Sequence, residues 1–157
     1  MKKFFCQVLY LLGAVLTAAS LYAAEHGKTS GKILIRGSVE EVCELAVVDL
    51  DVRMSLTESQ NGLKVGSITE TCNHPEGYVV SLKSANGGFM MGPLNARSDY
   101  RIHYDSIKGS NLSRAQGLYR DEPNWYASHD LRVQIEADER LPAGVYRDRL
   151  LVEIAAP

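Results

Sequence analysis

The chain has little with which to do chemistry. Of its 157 residues three are cysteine and one is tryptophan, and 17 Lys and Arg stand against 19 Asp and Glu. No run of basic residues is concentrated enough for a phosphate backbone, which is bound through such runs, and nucleic acid is excluded as a partner. No CxxC, HxH or HExxH spacing offers a metal site. A GxSxG elbow for a serine nucleophile and a GxxxxGK[ST] loop for phosphates are both missing. His26, His74, His103 and His129 are scattered singly and read as solvated side chains, as do acidic pairs such as Asp121-Glu122. The expectation is a protein that is not an enzyme and uses neither metal nor cofactor.

Long apolar runs are also scarce, with one exception at the start. Lys2 and Lys3 precede the apolar stretch Val8–Ala19, and Leu21-Tyr22-Ala23 follows with a small residue. That order of positive region, short apolar core and small residue is a secretory signal peptide over residues 1–23, too short to span a bilayer. Its removal leaves 15 basic and 19 acidic side chains and two cysteines. In an oxidising compartment such a pair is most simply a disulfide, Cys43–Cys72.

Helical periodicity is nearly absent after the signal, and short alternating segments bounded by Gly, Asn, Pro and Ser replace it. Ile33, Ile35 and Val39 share one parity. Val52, Met54 and Leu56 alternate with polar residues, as do Tyr78, Val80 and Leu82 before an Asn86-Gly87-Gly88 turn. Tyr100, Ile102 and Tyr104 make another such set, then Leu131, Val133 and Ile135. A long last strand is expected from Tyr146 through Leu150, Val152 and Ile154, opening after Gly144. Six or more strands of this kind predict an all-β, antiparallel sandwich. Residues 24–36 form a flexible extension in this reading and residues 37–157 the domain. The polar stretch 108–128 is expected to be a long loop, and its Tyr119, Trp125 and Tyr126 are a candidate surface for a glycan or protein partner. It equally suits a packed-down connection.

Three segments carry more. GKILIRGSVEEVCEL (31–45) runs into the first cysteine, ITETCNHPEGYVVSLKSANGG (68–88) holds the second before an alternating strand, and LPAGVYRDRLLVEI (141–154) closes the pattern. The Cys72-to-Tyr78 spacing, the Ile102-x-Tyr104 strand and Ala143-Gly144-x-Tyr146-x-Asp148 resemble the spore coat protein U domain and the pilin subunits of archaic chaperone–usher pili. The resemblance implies an immunoglobulin-like sandwich that lacks its last strand, exposing an apolar groove and an unpaired sheet edge. It also implies a periplasmic chaperone, an outer-membrane usher and neighbouring subunits as partners, and a final place in a surface fibre or coat. A donor strand from the neighbour would fill the groove by β-strand addition. Ile33, Leu34 and Ile35 would be that donor, and Gly144, Leu150, Val152 and Ile154 would form the acceptor groove and chaperone contact. Ile33 and Ile35 also suit the first strand of a complete domain.

Overall fold

The computed structural model describes residues 27 and 29–157; the expected signal segment, residues 1–23, lies outside them. The chain divides at Gly37 into a unit Met1–Gly37 and a unit Ser38–Pro157. The second unit holds nine strands among the described residues: β1 Cys43–Asp49, β2 Gln60–Cys72, β3 Tyr78–Ser84, β4 Phe89–Met91, β5 Arg97–Tyr104, β6 Ile107–Ser110, β7 Gln116–Arg120, β8 Asn124–Ile135 and β9 Leu150–Ala155.

They make two antiparallel sheets. The larger runs β1-β2-β8-β5-β4 with β6 also on β5, and the smaller runs β7-β3-β9. Period-two alternation decides which side chains face inward. Tyr78, Val80 and Leu82 of β3 meet Tyr100, Ile102 and Tyr104 of β5 and Leu131, Val133 and Ile135 of β8 in one buried cluster. The expected all-β antiparallel sandwich is therefore the observed architecture. β1 and β9 each have a strand neighbour on one side only.

Several expected elements differ. Residues 29–42 form no strand, and Ile33, Leu34 and Ile35 are exposed, Ile33 to 91%. Residues 51–57 alternate in burial as expected yet pair with no strand. The last strand begins at Leu150, not Tyr146; before it only Arg147 bridges, to Met91. The stretch 108–128 is not a loop. It contains the end of β6, all of β7 and the start of β8, because its turns are short and fall at residues 111–115 and 121–123.

β2, the longest strand, has no clean alternation in sequence for a local reason. Its register against β8 slips between Gln60 and Leu63 and again between Lys64 and Gly66, and each bulge adds one residue and reverses the parity. Beyond them Ile68, Glu70 and Cys72 all face the core.

A disulfide joins Cys43 to Cys72, directly opposite partners in the β1–β2 ladder. Asn73 extends this anchor. Its side chain accepts from the Val42 N–H at 2.8 Å and donates to the Glu40 carbonyl at 2.7 Å, so the chain entering β1 is tied down from Glu40 onward.

Candidate functional site

A groove of about 1010 Å³ opens in the second unit. One wall is the end of β1, Val47–Asp49, with residues 51–57 of the unpaired segment after it. The other is residues 141–152, leading into and along β9. Ile68, Leu131 and Val133 contribute to its lining from the core. Each wall presents apolar side chains at every second residue: Val52, Met54 and Leu56 on one, Leu150 and Val152 on the other. The half-buried state of these five follows from the missing strand neighbours, since a neighbouring strand would cover them.

The AGxYxD segment positions the second wall. Gly144 has φ +154 and lies against Pro93, whose Cγ would stand 2.3 Å from an added Cβ. Only glycine combines that backbone with that approach. The Tyr146 ring packs over Gly92, and its hydroxyl donates to the Pro142 carbonyl at 2.8 Å. Asp148 then takes the Tyr100 hydroxyl and the Ser84 hydroxyl, each at 2.5 Å, and the Asn86 N–H at 3.1 Å. Burial, reinforced by the Asp148 bond, pushes the Tyr100 phenol well above its ordinary value.

Of the acceptor residues expected from the sequence, Gly144, Leu150 and Val152 line the groove. Ile154 faces inward one pleat further on, opposite Val80, and packs on the core. The donor candidates Ile33, Leu34 and Ile35 belong to the other unit and are exposed. Tyr119 stands on a different sheet from Trp125 and Tyr126. Tyr119 lies opposite Val79 on the smaller sheet and donates to the Glu76 carbonyl, whereas Trp125 and Tyr126 occupy a bulge of β8 opposite Cys72 and Glu70.

A second constellation was invisible in the sequence. Glu70 is fully buried. Its carboxylate accepts the Tyr78 hydroxyl at 2.8 Å, the Tyr104 hydroxyl, and two Arg120 N–H groups at 2.9 and 2.8 Å. Arg120 also reaches Asp105 at 2.7 Å, and His129 stands 3.3 Å from Arg120 and 3.7 Å from Asp105. Burial alone would raise the Glu70 carboxyl, but donors from Arg120, Tyr104 and Tyr78 outweigh it and hold it below its ordinary value. Burial and the Glu70 bond push Tyr78 up to about 12. His129 is thus a partly buried member of this charged network and not a freely solvated side chain. No spacing rule links residues 70, 78, 104, 105, 120 and 129; only the sheet topology does.

No family model and no curated protein matches the chain. Among solved structures it is similar to the E. coli Hda pilus minor tip subunit, HdaB, at 12% identity over 71% of this chain and 80% of that one, with a TM-score of 0.40. At that level of likeness the match bears on neither function nor partners.

Proposed function

We propose that this chain is a pilin-like structural subunit of a bacterial surface fibre or coat. It is exported through the periplasm, carried by a chaperone to an outer-membrane usher, and completed by a strand from its neighbour. One observation carries the reading: a long groove between two extended walls, the end of β1 with residues 51–57 and the approach to β9, each without a strand partner on the groove side. Unpaired backbone edges and half-covered aliphatic side chains are costly in water, and both are satisfied together by one extended segment laid between them. A compact ligand would meet neither need.

The donor on this reading is the exposed segment holding Ile33, Leu34 and Ile35 of a second copy. Each aliphatic side chain buried in the groove contributes about 1.5–3 kcal/mol. The runner-up, a partner surface built from Tyr119, Trp125 and Tyr126, has less support, since Tyr119 lies on the smaller sheet and the other two in a bulge of the larger.

The test is to export residues 24–157 and residues 37–157 without other components and compare them by size-exclusion chromatography. The longer chain is expected to form multimers, and the shorter to stay a monomer that binds a peptide of residues 29–42 one to one. Two monomers that both ignore the peptide would sink the reading.

A further inference from the structure

The Glu70 cluster lies outside the groove, and strand addition makes no use of it. Its members come from both sheets: Glu70 on β2, Tyr104 on β5, Asp105 just after it and His129 on β8 from the larger, Tyr78 on β3 and Arg120 on β7 from the smaller. The same strands of the larger sheet also line the groove. Glu70 follows Ile68 by two residues, His129 precedes Leu131 by two, and Tyr104 follows Tyr100 by four. One pleat is about 7 Å. The sandwich interior is therefore divided lengthwise, with the open groove at one end and the ionic cluster next to it.

It is divided across the smaller sheet as well. Arg120 ends β7, one edge of that sheet; β9, which lines the groove, is the other edge. Just before β7 the chain crosses between the sheets through buried Leu112. We propose that the Glu70–Arg120 cluster is a fixed clasp that keeps the β7 side of the sandwich closed whatever occupies the groove. Strand arrival and departure then change the order of the β9 side alone, and Arg120 is the positioning residue that makes this so. The identity of the groove's occupant rests on the functional reading above; the clasp does not.

The physical case lies in the kind of contact. Apolar contacts are non-directional and let two sheets shift or part by degrees. A carboxylate saturated by two phenols and a two-pronged guanidinium has one geometry, and opening it strands a buried charge. Contact on the β7 side is accordingly all-or-none. Along β9 itself contact is apolar, through Leu150, Val152 and Ile154, and graded, as an entering strand requires; the Asp148 bonds fasten only the chain just before it.

Amide hydrogen exchange on the full exported chain carrying Ile33→Asp and Ile35→Asp, which keep its own donor segment out of the groove, with a synthetic peptide of residues 29–42 of unchanged sequence as probe, tests this. In the protein alone, the β3-paired amides of β7 are expected to exchange at least tenfold more slowly than those of β9. The peptide should slow β9 at least tenfold and β7 less than twofold. Equal slowing of both would overturn the clasp. Arg120→Met should speed β7 exchange at least tenfold and make it respond to the peptide, with Arg120→Lys between the two. If Arg120→Met fails to fold, Arg120→Lys carries the comparison. Exchange on β7 within twofold of the chain that keeps Arg120 in the variants that fold would also overturn the proposal. A peptide that slows no amide anywhere speaks against strand addition, and the Arg120 variants without peptide still decide the clasp.

Discussion

The Tyr100 hydroxyl and the Asp148 carboxylate meet at 2.5 Å, joining the larger sheet to the chain that leads into β9. Asp148 is at once the wall of the groove and its fastening to the core. Tyr100→Phe removes one donor to a charged acceptor and should cost about 1.5 kcal/mol, and Asp148→Ala, which also abandons Ser84 and the Asn86 N–H, about 3 kcal/mol. Urea unfolding of both and of the double variant should give a sum larger than the double loss. Strict additivity would show that the two residues do not act on each other.

Stability should fall at both ends of the pH scale, for opposite reasons. Glu70 and Asp105 titrate lower folded than unfolded, the latter chiefly through its bond from Arg120. Their contribution is whole above about pH 4.3 and drains away as pH drops through the folded values. Tyr78 is raised to about 12, and Tyr100 and Tyr104 are raised too. Their contribution is whole below about pH 10 and is lost as pH climbs. Denaturant midpoints across pH 3–11 should trace this dome, and Glu70→Gln should flatten its acid limb. An acid limb unchanged by that substitution would acquit Glu70.

Replacing Cys43 and Cys72 together by Ser should cost about 3.6 kcal/mol, the chain-entropy value for a loop of about 30 residues. Because the two are direct partners in the ladder, the loss should be felt first as fraying of β1. Limited proteolysis between residues 43 and 49 reports it, and an unchanged cleavage rate would contradict the expectation.

Gly77→Ala should be among the most damaging single-methyl changes in the chain. Gly77 has φ +81, and an added Cβ would stand 1.9 Å from the Arg120 carbonyl oxygen. A loss above about 2 kcal/mol in urea, with β7 exchange accelerated, is expected. A cost under 1 kcal/mol would mean that the turn relaxes away from β7.

Alternation made much of the architecture readable in advance. Tyr78-x-Val80-x-Leu82 and Tyr100-x-Ile102-x-Tyr104 point inward as their spacing requires, because strands flanked on both sides have no other way to bury those side chains. β2 escaped because two bulges scramble its parity and because its buried face carries a glutamate. β7 and the start of β8 escaped because edge and bulge positions leave Tyr119, Trp125 and Tyr126 outside, so polar and aromatic residues mingle as they do in loops. The walls of the groove were half legible: Leu150 and Val152 from their spacing, Asp148 only as one letter of a motif. The Glu70 cluster was not legible at all, since its members are neighbours only after the sheets are stacked.

Asn73 fastens the chain at Glu40, and only five positions separate Glu40 from Ile35. Five residues stretch to about 17 Å at most. In a fibre made by strand addition, that leash fixes how far one subunit stands from the next and how freely it swivels. A hinge so short makes a stiff thread, and inserting residues between Gly37 and Val39 would be the way to make it limp.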